Sequence, residues 1–163
     1  MLYLLDTNVF IQAKNLHYGL DFCPAFWDWL VEQNRNGRVH SIEKVGDELA
    51  AVQDPLSDWA DKRGEDFFLP PDASMLQTLS AVSAWVNSQK QFRQDATNLF
   101  FQGADYYLVA HALAHGCTVV THEKASDARR TVPIPNVCIG VKVKCMTPFE
   151  MLRHERAKFV LGK

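Results

Sequence analysis

The first apolar run of the chain, Leu2–Leu5, shows no polar alternation and is followed at once by Asp6, Thr7 and Asn8. A short unbroken apolar run is typical of a strand that is buried on both faces in a parallel sheet. The run therefore predicts a central strand with Asp6 at its carboxyl end, which is the edge where open α/β sheets bind ligands. The alternative is that Asp6 or Thr7 only caps the next helix by accepting a backbone N–H group.

Apolar spacing predicts the elements of the remaining chain. Further strands are expected at 38–41, 117–121 and 137–143, with a brief extended piece at 67–69 and a turn at 134–135. Helices are expected at 8–14, 22–33, 42–53, 55–66, 73–87, 104–115 and 147–158. In these segments apolar residues recur every three or four positions, and turn residues end several of them.

Length and composition favour one domain, residues 1–163, because 163 residues with 47% hydrophobic content can bury one full core. A net charge of −2 excludes a broadly basic nucleic-acid surface, so phosphate contacts must be local or carried by a metal ion. No apolar run approaches the roughly 18 residues of a membrane span, so a soluble protein is expected. Four scattered cysteines without C-x-x-C spacing suit reduced thiols and a cytoplasmic location: Cys23, Cys117, Cys138 and Cys145.

Four acidic residues stand where the patterns place them near a buried surface. Asp6 and Glu123 follow apolar strands, Glu48 falls in the apolar stripe of its helix, and Asp105 precedes Leu108 by three residues. Buried carboxylates require hydrogen bonds, basic partners or a metal, and no Lys or Arg occupies a matching inward position. An all-oxygen cluster suits Mg²⁺ or Mn²⁺. The alternative is that each acid is an independent cap or surface residue.

The order of these motifs resembles PIN-domain ribonucleases, including VapC-type toxins. The resemblance rests on strand–D-x-N, S-x-x-x-V-x-x-E-L from Ser41, A-D before the Ala-rich helix at 104–115, and a strand ending T-x-acid. VVTHE at 119–123 is similar to the end of this strand in one uncharacterised PIN-like subfamily. The resemblance implies a three-layer α/β/α sandwich with a central parallel sheet. It also implies an endoribonuclease that uses Mg²⁺ or Mn²⁺ held by acids at the carboxyl edge of the sheet.

The resemblance implies functional roles for the residues of this chain that match the family's motif positions. Asp6, Glu48 and Asp105 correspond to the three main acids of the family, and Asn8 to the polar residue that orients the first. The fourth acid is Glu123, where many PIN domains have Asp, and Asp127 is its rival. The remaining assignments are Thr121, which would orient an acid or the scissile phosphate, and the RNA-steering residues Lys14, Lys124, Arg129 and Arg130.

The resemblance to toxins also implies partners: an RNA substrate, a small antitoxin and a second copy of the chain. Two other functions compete. One is a PIN-like binding module that acts through a partner without turnover. The other is a phosphatase-like hydrolase with an aspartyl nucleophile, which is disfavoured because Asn8 stands where its second Asp is needed. His111 and His115 have the i, i+4 spacing of a zinc helix, but they lack the intervening Glu of metalloproteases, and zinc is disfavoured.

Overall fold

The predicted first strand forms and lies at the centre of the sheet. In the computed structural model, which describes residues 2–162, β1 (Tyr3–Leu5) is completely buried. The sheet of this range has four further strands: β2 (Val39–Ile42), β3 (Phe68–Leu69), β4 (Thr118–Val120) and β5 (Cys145–Met146). The strand order is β3-β2-β1-β4-β5, and all of these neighbours pair in parallel. The expected α/β class with a central parallel sheet is confirmed.

The register of the strands brings three chain segments together at one edge. Tyr3 lies opposite Val39 on one side and opposite Thr118 on the other. The Asp6 backbone N–H donates to the Val120 carbonyl at 2.9 Å. Because parallel strands run the same way, the segments that follow β1, β2 and β4 all leave the sheet at its carboxyl edge.

Helices flank this sheet and complete the α/β/α sandwich. They are α1 (Thr7–Gln12), α2 (Pro24–Arg35), α3 (Glu43–Ala50), α4 (Pro55–Asp61), α5 (Ala73–Ser88), α6 (Gln94–Gln102), α7 (Ala104–His115), α8 (Ile134–Val141) and α9 (Pro148–His154). A π-helical stretch, Ala13–His17, extends α1. Successive side chains of β1 point to opposite faces of the sheet, and Tyr3, Leu4 and Leu5 are all fully buried. Both faces of β1 are therefore covered.

One predicted strand is wrong: residues 137–143 lie largely in α8, and the last strand is β5 at Cys145–Met146. Alternating polarity after Val137 suggested a strand, but the buried residues of α8 include Ile134, Val137 and Cys138, which is helical spacing. The turn predicted at 134–135 is the first turn of this helix, where Pro135 needs no intrahelical N–H bond.

Several helices are shorter than predicted. α3 ends at Ala50 rather than 53, so Val52 lies beyond it and is 57% exposed. α4 ends at Asp61, and the last helix spans only Pro148–His154. α7 ends as predicted, at Gly116, whose left-handed backbone (φ 67°) terminates the helix.

The predicted domain, 1–163, includes Met1 and Lys163, which lie outside the described residues. Among residues 2–162, no helix has the length and apolar character needed to cross a membrane. All four cysteines carry free thiols, with Cys117 and Cys138 buried.

Candidate active site

Asp6 is the most deeply buried acid of the candidate site. It follows β1, is 4% exposed, and accepts a hydrogen bond on Oδ2 from the Thr121 hydroxyl at 2.8 Å. Its side chain makes no capping hydrogen bond to α1, although it occupies the N-cap position. Burial raises the pKa of Asp6 well above its usual range, and the charges of Asp105 and Glu123 raise it further. The hydrogen bond from Thr121 only partly opposes this rise.

Thr121 is held in a single orientation by a small network. Its hydroxyl donates to Asp6 and accepts from the Asn8 side-chain amide at 3.2 Å and from the Glu123 backbone N–H at 3.1 Å. Asn8 in turn accepts from the His122 backbone N–H at 3.2 Å. A hydroxyl has one donor and two acceptor sites, so all three sites of Thr121 are used. Thr121 therefore orients the Asp6 carboxylate, and Asn8 reaches Asp6 only through Thr121.

Asp105 lies in the first turn of α7 and is half-buried. Burial, followed by the charges of Glu123 and Glu48, raises its pKa to about 7. An aspartate at a helix N-terminus is ordinarily stabilised in its charged form by the helix dipole. At this position burial and the carboxylates of Glu123 and Glu48 act in the opposite direction and raise the pKa of Asp105.

Glu48 differs from its predicted position, because its side chain is exposed rather than turned into the core. The carboxylate accepts from the Thr7 hydroxyl at 2.6 Å and from the Ala104 backbone N–H at 3.4 Å. These donors belong to the first residues of α1 and α7, so Glu48 links the two helix N-termini at the mouth of the site. The sequence predicts Thr7 beside Asp6, with a helix cap as the alternative, and does not predict its hydrogen bond to Glu48.

Glu123 is half-buried and accepts from the Ile134 backbone N–H, the first residue of α8, at 2.9 Å. Burial raises its pKa, and this hydrogen bond opposes the rise. Its rival Asp127 is exposed and lines a groove with Trp85 and Asn136. Asp127 is not among the charges that shift the pKa of Asp6 or Asp105, whereas Glu123 shifts both.

The predicted basic residues fall into two groups. Lys14 donates to Asp54 at 2.7 Å, so its charge is already paired. Lys124, Arg129 and Arg130 are exposed on the segment between β4 and α8.

The donor set of this site fits a hard divalent cation. Within residues 2–162, the groups that raise the pKa of Asp6 and Asp105 are carboxylates, and no cationic side chain appears among the groups that shift either value. No three of the four acids have donor oxygens all within 4.8 Å of one another in this part of the chain. A loose set suits Mg²⁺ or Mn²⁺ better than a closed cage, since Mg²⁺ is usually held by one or two carboxylates and keeps several waters.

The fold is a five-stranded parallel sheet flanked by helices, with acidic residues at the carboxyl edge of the sheet. Residues 3–159 match the family described as "Domain of unknown function (DUF4411)", and the chain belongs to that family. No curated protein matches the sequence.

Two solved structures are similar to this chain in fold. One is the crystal structure of VapBC2 from Rickettsia felis bound to a DNA fragment from their promoter, with TM-score 0.57, 14% identity, and coverage of 90% of this chain and 98% of that chain. The other is the crystal structure of FitAcB from Neisseria gonorrhoeae, with TM-score 0.54, 17% identity, and coverage of 91% and 99%. The predicted PIN-like fold is confirmed. The narrower resemblance to a subfamily with VVTHE stays a prediction.

Proposed function

We propose that this protein is a divalent-metal-dependent endoribonuclease and the toxin of a type II toxin–antitoxin pair. The observation that carries the proposal is the crowding of Asp6, Asp105, Glu123 and Glu48 at the carboxyl edge of a PIN-like sheet, without a basic partner among the groups that shift the pKa values of Asp6 and Asp105. Such crowding costs stability, and a cation that binds there would offset the cost.

Asp6 and Asp105 would hold Mg²⁺ or Mn²⁺, with Glu48 and Glu123 at the periphery. When bound, the ion supplies a Lewis acid and a water molecule of lowered pKa. Thr121 keeps Oδ2 of Asp6 fixed, so the carboxylate does not have to reorient when substrate arrives. Glu48 is tied to Thr7 and Ala104 and defines the open side of the site. In-line hydrolysis would leave 5′-phosphate and 3′-hydroxyl ends.

RNA would approach along the segment between β4 and α8. Lys124 directly follows Glu123, and Arg129 and Arg130 lie six and seven residues after it. All three are exposed and can pair with the phosphate backbone. Lys14 is a weaker candidate because Asp54 already neutralises it.

The toxin assignment is supported by the fold shared with VapBC2 and FitAcB, together with the VapC-like placement of the acids. The resemblance to VapC-type toxins implies a small antitoxin, a homodimer and action in the cytoplasm. Inspection of the adjacent reading frames for a small protein gene tests the antitoxin directly.

The experiment incubates purified protein with end-labelled RNA in Mn²⁺, Mg²⁺ or EDTA. Wild type should cleave internally with either metal and stop with EDTA, while Asp6→Asn and Asp105→Asn should be inactive. Asp127→Asn is the matched control, since it removes a carboxylate outside the crowded group and should keep activity. Products should be substrates for a 5′-phosphate-dependent exonuclease.

Cleavage at the wild-type rate in Asp6→Asn and Asp105→Asn would contradict the proposed site. Phosphate release from small esters with RNA left intact would favour the phosphatase-like hydrolase. RNA or partner binding without turnover, in protein that binds Mn²⁺, would favour the binding module.

A further inference from the structure

A second group of ligand-type side chains lies at the other end of α7. Asp105 occupies the first turn of this helix and His115 the last, ten residues later, which is about 15 Å along the axis. At the far end, donor atoms of Asp72, His111 and His115 all lie within 4.8 Å of one another. Among residues 2–162 this is the one group of three or more His, Cys, Asp or Glu side chains that reaches such proximity.

Two packed helices build this group. His111 and His115 are separated by one turn of α7, so both rings project from the same side, with centroids 4.7 Å apart. Asp72 is the N-cap of α5, the helix that packs most extensively along α7. Its Oδ1 accepts from the Met75 backbone N–H at 2.8 Å, which fixes the carboxylate and leaves Oδ2 at 2.7 Å from Nε2 of His115.

We propose that Asp72, His111 and His115 form a Zn²⁺ site separate from the acidic cluster. Two imidazole nitrogens and one carboxylate oxygen form a donor set that suits zinc, unlike the all-oxygen site around Asp6. Three protein ligands leave a fourth tetrahedral position for water or another ligand. The hydrogen bond from Met75 to Oδ1 is the kind of outer contact that orients a ligating carboxylate.

The distance between the Asp72 and His115 donor atoms permits both to bind one ion after a small side-chain movement, and the His111 nitrogen, within 4.8 Å of both, would complete the set by moving closer. Zinc bonds of about 2.0–2.2 Å at a tetrahedral angle place two donor atoms roughly 3.3 Å apart. Oδ2 of Asp72 and Nε2 of His115 are now 2.7 Å apart, so they would separate by about half an ångström as the ion replaces the proton between them.

The site is anchored on one side and open on the other. His111 is 4% exposed and is held by the buried face of α7. The side chains of Asp72 and His115 are 44% and 35% exposed, and all three residues line one surface groove with Leu2. An ion can therefore enter from solvent and bind between α5 and α7 without unfolding of the helices.

The competing explanation is that Asp72 and His115 form only an ion pair beside a helix cap. Asp72→Asn separates the two explanations, because Asn caps helices as well as Asp but lacks the charge and basicity of a carboxylate ligand. His115→Asn removes an imidazole from a half-exposed position. His154→Asn, on the exposed end of α9, is the matched control for adventitious binding by a surface histidine.

The experiment titrates Co²⁺, as a spectroscopic substitute for zinc, into the full chain and follows its visible absorption, with Zn²⁺ competition to obtain affinity. Wild type, His154→Asn and Asp105→Asn should bind one equivalent with the spectrum of a tetrahedral nitrogen and oxygen site. Asp72→Asn and His115→Asn should each lower the Zn²⁺ affinity by about 100-fold or more. Loss of a residue that only orients a ligand already lowers metal affinity by about 10–100-fold.

Zn²⁺ should also raise the melting temperature of wild type and of Asp105→Asn, and should not raise that of Asp72→Asn. Unchanged affinity in both Asp72→Asn and His115→Asn, or no tetrahedral spectrum in wild type, would overturn the proposal in favour of an ion pair and helix cap alone. Loss of Co²⁺ binding in Asp105→Asn would also overturn it, because the ion would then belong to the acidic cluster.

Discussion

Replacing Asp105 by Asn should stabilise the metal-free protein while abolishing cleavage. Burial and the charges of Glu123 and Glu48 raise the pKa of Asp105 from 3.8 to about 7 in the folded state. At neutral pH, folding therefore brings the Asp105 carboxylate close to other carboxylates in a site that disfavours its charged form, and this lowers the free energy of unfolding. Asn keeps the shape of the side chain and removes the charge, so the repulsion is lost together with a metal ligand.

The magnitude follows from the pKa difference between folded and unfolded protein. A rise from 3.8 to about 7 corresponds to at most about 4 kcal/mol, at 1.36 kcal/mol per pKa unit. Asp105 is only half-buried, and solvent screening reduces this to about 2 kcal/mol. For a chain of this length, about 2 kcal/mol raises the melting temperature by about 4–8 °C.

The direction in which stability changes with pH follows from the number of protons bound by the folded and unfolded states. Between pH 4 and pH 7 the folded protein holds the Asp105 proton and the unfolded chain does not, so wild-type stability falls as pH rises through this window. Below pH 4 both states are protonated and the penalty is absent. The difference in free energy of unfolding between Asp105→Asn and wild type should therefore be largest at pH 8, about one third as large at pH 5, and nearly zero at pH 4.

The assay is urea unfolding of wild type, Asp105→Asn and Asp127→Asn in EDTA at pH 5, 6.5 and 8. Asp127→Asn controls for the loss of one negative charge, because Asp127 is exposed and contributes no shift to the pKa of Asp105. An Asp105→Asn protein that is no more stable than wild type at pH 8, or whose advantage grows toward acid pH, would refute the reasoning.

Three further predictions test the same site. Mn²⁺ should raise the melting temperature of wild type by mass action, and the shift should vanish in Asp6→Asn; equal shifts would exclude a shared metal site. Glu123→Gln should lower the cleavage rate more than Asp127→Asn, with part of the loss recovered at higher Mn²⁺, and the reverse order in RNA cleavage assays would move the fourth acid to Asp127. Expression of wild type alone should arrest bacterial growth while Asp6→Asn should not; normal growth with active protein would indicate a nuclease that is not a toxin.

The sequence by itself determined the elements whose patterns are local and strong. The apolar run before Asp6 predicted a doubly buried strand, and Tyr3–Leu5 is that strand at the centre of a parallel sheet. Gly116 predicted the end of α7 because a left-handed residue stops a helix. The positions of Asp6 and Glu123 at one edge follow from parallel strands alone.

Local patterns could not decide the features that depend on packing. Residues 137–143 alternate in polarity like a strand, but burial of Ile134, Val137 and Cys138 against the rest of the fold makes the segment helical. The apolar stripe of α3 predicted that Glu48 points inward. In the structure its carboxylate is held at the surface by hydrogen bonds from the first residues of α1 and α7. Long-range contacts outweigh short-range periodicity in both cases.

Only the tertiary structure decided which polar groups meet. The family resemblance left open whether Thr121 orients an acid or the scissile phosphate, and the fold brings its hydroxyl to the carboxylate of Asp6, 115 residues away. His111 and His115 lacked a third ligand when considered as one helix, and the N-cap of another helix, Asp72, supplies a third donor. Coordination and hydrogen bonding require atoms within a few ångströms, and for residues far apart in the chain that proximity is created by the packing of α5 on α7 and of β4 on β1.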